Sequence, residues 1–335
     1  MKCLSVLLFL FFTPFLMAQK LQLSHAIELP GDEGWDYLSV DEASQNLFVS
    51  HGSVVNVVDL KTEKLIATIP DTQGVHGIAI ANKLNKAFIT DGKDNAVTIV
   101  KLKTFKLIKK VAIEGLKPDA VLYDPFSEKV FVYNARSNDA TVLDAITNKI
   151  IKTIPLGGNP EFSVTNGKGL VYVNIEDNHQ IKVIDAVKLE VVNTWDISPG
   201  EEPSGLAFDA VNNRLFSVCA NSLMIVTDAI TGKQVKILPI GKGADGVFFD
   251  DKRKLIFSSN GEGTLTVVKQ KNKNDYSVLE TVPTIKGART ITMSKATGTL
   301  YLPTAYFGKI PPASADIPNP HAAIIPGSFK ILVVK

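Results

Sequence analysis

Cysteine is almost missing from this chain: its 335 residues include Cys3 and Cys219 and no others. Loss of the N-terminus would leave Cys219 alone, which excludes an intramolecular disulfide and a cysteine-based zinc site. An excess of charge of either sign is missing too. Lys and Arg number 36 against 34 Asp and Glu, a formal net charge of +2, so nothing global draws the chain to nucleic acid or an anionic membrane. No C-x-x-C-H haem site, P-loop, G-x-S-x-G elbow or Rossmann fingerprint occurs, which leaves those motif-borne chemistries without a carrier. Beyond the leader no apolar run approaches the roughly 20 residues of a membrane-spanning helix, and helical periodicity is not seen either.

What is present begins at the N-terminus. "MKCLSVLLFLFFTPFLMAQK" sets Lys2 ahead of an apolar run from Leu7 to Phe12, then Pro14, then a second apolar patch ending at Ala18. This is the layout of a secretory signal peptide over residues 1–18, cleaved after Ala18. Pro14 argues against a retained anchor, and Cys3 lies too near the start for a lipid-attachment site. The mature protein, residues 19–335, is expected to be exported, to the periplasm or as a secreted protein, with no transmembrane segment.

The dominant signal is a repeat. "WDYLSVD" from Trp35 recurs as "VHGIAIA", "PDAVLYD", "PEFSVTN", "PSGLAFD", "ADGVFFD" and "ARTITMS". The second positions are Asp36, His76, Asp119, Glu161, Ser204, Asp245 and Arg289, spaced by 40, 43, 42, 43, 41 and 44 residues. Each copy is followed by a second series ("LFVSH", "AFITD", "VFVYN", "VYVNI", "LFSVC", "LIFSS", "LYLPT"), then by a β-branched run such as "VNVVDL" or "IKVIDA", then by "KLIATIP" or "KIIKTIPL". Short β-branched runs punctuated by Gly, Pro, Asn and Asp are strands with tight turns. Four strands per unit of about 40 to 45 residues predict an all-β, seven-bladed β-propeller. The last unit stops at its third strand, "FKILVVK", and "LQLSHAIELPG" near the N-terminus resembles the missing fourth, so the ring is expected to close there and leave no open sheet edge.

These strings, with "VIDA" and "TIPLGGNP", resemble the YVTN-type β-propeller repeat family, the YncE-like exported propellers. The resemblance covers essentially all of the mature chain. It implies the architecture and carries no single reaction.

In a propeller the first strand of each blade lines the central channel. The seven second positions therefore predict a ring at one channel mouth, containing three Asp, one Glu, one His, one Ser and one Arg. Carboxylates ahead of a strand also form turns, and that alternative stays open here. Four carboxylates held close raise one another's pKa or recruit a cation. Loops on the same face carry Trp35, His51, Asp91, Asn134, Glu176, Asp177, His179 and His321 as further candidate ligand-binding residues. Imidazole with carboxylate suits a divalent cation, for which Asp36, His76, Asp119, Glu161 and Asp245 are the candidate ligands. The recurring Asp59, Asp144, Asp185 and Asp228, three of them followed by Thr62, Thr147 or Thr231, predict side-chain-supported turns.

Blade seven departs from the pattern by a proline-rich insertion at about 303–328, expected to form an ordered cap or docking strip across the channel face. Two functions compete. One is an exported propeller that binds a ligand or a protein partner at its acidic channel face. The other is a cation-dependent enzyme of lactonase or lyase type using the same carboxylates. A nucleic-acid track would need a basic aromatic groove; the acidic mouth speaks against one, and Lys101, Lys103, Lys106, Lys109 and Lys110 read as a solvated outer face.

Overall fold

The first strand of the repeat begins Trp35–Asp41 and is followed by Asn46–His51, Val54–Asp59 and Lys64–Ile69, each antiparallel to the one before. In the computed structural model, which describes residues 20–312 and 320–335, these four strands form one sheet, and six further four-stranded sheets follow the same order. The seven sheets are the blades of a β-propeller. The signal peptide expected at 1–18 lies outside the described residues, and no helix among them is long and apolar enough to cross a membrane.

Within a blade, burial follows position. Asn46–His51 and Leu255–Asn260 are buried at every residue, whereas Lys149–Pro155 on the rim is exposed except at Ile154. A second strand packs a neighbouring blade on each face, so both sets of alternating side chains must be apolar or satisfied. The seven hydrophobic clusters accordingly lie mostly at blade boundaries. Phe48, Val57, Ile78, Ile89 and Val100 fill the boundary of blades one and two; Phe216, Val226, Val247, Ile256 and Tyr276 fill that of five and six. Each such side chain contributes about 1.5–3 kcal/mol on burial. No blade could keep that contribution alone, which is why the ring must close.

Closure is by the chain's own ends. Leu23–Glu28 pairs antiparallel with Lys330–Val334, Ala26 opposite Leu332 and Ile27 opposite Ile331, completing blade seven. His25 Nε2 also meets Glu63 Oε2 of blade one at 2.7 Å.

Blade seven differs from the sequence expectation in its innermost strand. Of "ARTITMS" only Thr292–Met293 pairs as strand. Upstream, the segment bonds to the neighbouring blades instead, by backbone and by side chain: the Arg289 carbonyl accepts from the Ser259 hydroxyl, and the Thr290 side-chain Oγ1 donates to the Asp36 carbonyl at 2.7 Å. The proline-rich insertion rises from the hairpin of this blade. Phe307 pairs with Ile324, Gly308 N–H donates to Ala323 at 2.8 Å, and Ile325 N–H donates to Tyr306 at 2.8 Å. Phe307 packs against Trp35, centroids 5.9 Å apart. The expected cap would depend on residues 313–319, which lie outside the described residues.

Candidate functional site at the channel mouth

The ring positions are set by a repeated irregularity. In blades one to six the innermost strand shifts register against its partner just after its first residue: between Trp35 and Leu38, Val75 and Ile78, Pro118 and Val121, Pro160 and Ser163, Pro203 and Leu206, Ala244 and Gly246. A bulge takes a residue out of the ladder and re-aims its side chain. The residues taken out include Asp36, His76, Asp119, Glu161, Ser204 and Asp245. Side chains on the second strands hold them from behind: Ser50 Oγ accepts the Asp36 N–H at 2.9 Å, Thr90 Oγ1 donates to the Asp119 carbonyl at 2.5 Å, and Asn174 Nδ2 donates to the Ser204 carbonyl at 3.0 Å.

The residue after each ring position explains how they converge. It is Gly77, Ala120, Gly205 and Gly246 in four blades and Thr290 in blade seven, but Tyr37 in blade one and Phe162 in blade four. A Cβ on Gly77 or Gly205 would lie 2.8 Å from the Asp119 carbonyl oxygen or 2.7 Å from that of Asp245, so adjacent blades meet backbone to backbone there. Tyr37 uses the room left in the channel to reach blade four. Its ring lies 5.2 Å from Phe162, and its hydroxyl is 3.5 Å from Glu161 Oε2. Tyr37 and Phe162 thus stand between the mouth and a channel cavity of about 610 Å³ walled by Ile80, Leu122, Phe208, Phe248 and their neighbours.

Above this floor the charges interlock. His76 Nδ1 lies 2.7 Å from Asp36 Oδ2 and 3.6 Å from Asp119 Oδ1. Arg289 bridges the other side, Nη2 3.6 Å from Asp36 Oδ1 and Nε 3.1 Å from Asp245 Oδ2. Lys117 Nζ sits 3.5 Å from Asp119 Oδ2. Burial pushes Glu161 up to about 9, with the charges of Asp119, Asp245, Glu176 and Asp36 adding to it. Burial also lifts Asp245 to about 6 although Arg289 pulls it down, and it raises Asp119 together with the Asp36 charge. His76 is held above its ordinary value: burial opposes the charge, but the Asp36 hydrogen bond and the Asp119 charge outweigh it. Burial and all four carboxylates raise the Tyr37 phenol well above its usual range. Glu161 therefore carries its proton at neutral pH, and the three Asp face His76, Arg289 and Lys117. The mouth is rich in carboxylate, but far less negative than its side-chain count predicts.

The same-face residues divide. Glu176 joins the cluster, because Asn159 Nδ2 donates to it and lies 3.5 Å from Glu161 Oε1. Trp35 lines the mouth cavity with Asp36, His76 and Arg289 while packing on Phe329. His51, Asp91 and Asn134 turn into their blades. His51 is buried, stacked on Phe329 at 4.0 Å with Nε2 3.0 Å from the Glu33 carbonyl, and burial lowers its pKa. Asp91 accepts from Thr98 and pairs with Lys110, and Asn134 donates to Asp139 and Thr141. Asp177 accepts the Asn159 N–H, His179 accepts the Glu202 N–H, and His321 is exposed on the returning limb of the insertion. Ser204, though in the ring, donates its hydroxyl to the Ala244 carbonyl at 3.2 Å. Tyr37, Asn159 and Lys117 are the participants that sequence reasoning missed. The column after the ring position, small in four blades and aromatic in two, was the available signal.

For a cation the candidate set narrows from five residues to three. Asp36, His76 and Asp119 offer ligand atoms that all lie within 4.8 Å of one another, and one imidazole with two carboxylates is a donor set for zinc or another divalent first-row ion. Asp245 is engaged by Arg289, and Glu161 turns to Tyr37 and Asn159.

Comparison with known proteins agrees with the class, a seven-bladed propeller. One chain of Kuenenia stuttgartiensis hydrazine synthase superposes with a TM-score of 0.70 at 15% identity, covering 89% of this chain and 97% of that one, which shows the fold alone. In sequence, the uncharacterized protein YncE of Salmonella typhi and that of Salmonella typhimurium are each 24% identical over 186 residues, 53% of this chain. The chain spans about half the length of these curated relatives, 52%. No family model matches.

Proposed function

We propose that this protein is an exported, YncE-like propeller that binds a small-molecule ligand at its channel mouth, with a divalent cation in the Asp36–His76–Asp119 corner. The observation that carries this is geometric. Ionisable side chains from blades one, two, three, six and seven form one run of contacts, Asp119 to His76 to Asp36 to Arg289 to Asp245, while Glu161 of blade four lies half-buried against the Tyr37 hydroxyl. Holding so many ionisable groups together opposes folding through desolvation and repulsion, and such clusters concentrate at binding and catalytic sites. A propeller has no need of them, since its stability resides in the blade boundaries. A cation would replace the proton on His76 and draw Asp36 and Asp119 toward one point. No observation singles out the lactonase or lyase alternative.

Titration of Mn²⁺ and Zn²⁺ into the mature protein, followed by calorimetry, tests the proposal. Saturable uptake of one ion per chain is expected for the wild type, falling at least about 10-fold in Asp119→Asn and in His76→Gln, since loss of a ligand or of its support costs metal sites on the order of 10–100-fold. Equal uptake by the wild type and both variants would remove the cation from the site.

A further inference from the structure

His76 has a second face. A separate recess of about 390 Å³ lies on its other side, between blades two and three, lined by Lys93, Lys117, Arg136, Leu116, Gly92 and His76 among others. Its charge is opposite to that of the ring: three cations and no carboxylate line it. Lys117 has Asp119 Oδ2 at 3.5 Å. Among the described residues Lys93 and Arg136 have no carboxylate within ion-pair distance.

The recess and the cation corner share one imidazole. Nδ1 of His76 faces Asp36 at 2.7 Å. The opposite edge faces Gly92, where an added Cβ would stand 2.9 Å from Cδ2 and 3.1 Å from Nε2. Glycine therefore lets the imidazole lie edge-on to the recess, with Nε2 turned to that side. Lys93 lines the mouth cavity of about 340 Å³ as well as this one, so the two cavities adjoin across His76 and Gly74. The lysines on the outer strands of blade two differ in setting: Lys101, Lys103, Lys106 and Lys109 are exposed on the rim and line neither cavity. Cations gathered on a concave wall focus a positive potential that convex surface charges do not. A guanidinium beside two ammonium groups matches the oxygens of a carboxylate or phosphate.

We propose that the Lys93–Lys117–Arg136 recess takes the oxyanion end, carboxylate or phosphate, of a small ligand whose other end reaches the Asp36–His76–Asp119 corner. This deepens the reading of the mouth as a ligand site and rests on it. Succinate and inorganic phosphate serve as the two probes, titrated calorimetrically at about 10 mM salt, where screening is weak. At least one is expected to bind saturably to the wild type, and to weaken about 10-fold or more in Lys93→Gln/Arg136→Gln while Lys101→Gln/Lys103→Gln matches the wild type. Which probe binds tells carboxylate from phosphate. The proposal is overturned if neither binds, if the recess variant binds as the wild type does, or if the rim variant loses as much. Mn²⁺ uptake read on the same samples separates the two ideas: uptake without oxyanion binding sinks the recess alone, whereas oxyanion binding lost in the recess variant, in a protein that takes up no cation, sinks the cation corner alone.

Discussion

Two sets of acidic residues recur with the blade period, and they end in opposite states. Asp59, Asp144 and Asp185 lie in the outer turns, where each Oδ1 accepts backbone N–H groups two and three residues on, at 2.7–3.0 Å. Those turn N–H groups lead in lowering their pKa. Asp119, Glu161 and Asp245 lie on the inner bulges, and burial raises all three. The difference lies in the source of donors. A tight turn supplies them from its own backbone, whereas a side chain re-aimed by a bulge leaves its backbone behind and must find Arg289, His76 or a proton. Periodic recurrence thus marks a turn in one place and a cluster of desolvated ionisable groups in the other.

Removing the floor of the inner set has the largest expected effect. Tyr37→Ala should cost about 3–5 kcal/mol, the range for deleting a large buried aromatic, measured by chemical denaturation, and Glu161 should then titrate at lower pH as water enters. Next, the inner set should give a pH dependence opposite in sign to that of the turns. Because Glu161 rises from its ordinary 4.5 to about 9 in the fold, it holds its proton more tightly folded than unfolded. Its contribution is complete below its unfolded value and is lost as pH climbs toward 9. In metal-free protein, Glu161→Gln should flatten the stability profile over that window; a variant that keeps the wild-type slope would place the titrating group elsewhere. The smallest effect belongs to the turns. Asp144→Ala should cost about 0.5–1.5 kcal/mol, the net worth of an ordinary hydrogen bond. Its stability deficit should close as pH falls through the lowered pKa of Asp144, and Mn²⁺ uptake should stay at the wild-type level.

Much of this was legible in the chain. The near-constant spacing of Asp36, His76, Asp119, Glu161, Ser204, Asp245 and Arg289 located the mouth, and the incomplete last unit foretold closure by Leu23–Glu28. His51, Asp91 and Asn134 were misplaced because they end second strands. Period-2 alternation says that neighbours face opposite sides, and it does not say which side is the channel. The sheet settles this: Asp91 pairs with Ala96 and bonds Thr98 and Lys110, all within blade two.

By itself the sequence determined the blade count, the strand order and the aspartate-supported turns, because these depend on local alternation and turn chemistry that recur every 40 to 44 residues. The tertiary structure alone decided that Tyr37 reaches Glu161, 124 residues away, that Arg289 joins Asp36 to Asp245, and that His76 stands between an acidic corner and a basic recess. Those juxtapositions exist only once the ring has closed, since the distance between two residues in different blades is fixed by the boundaries that stack them and by nothing in the chain between.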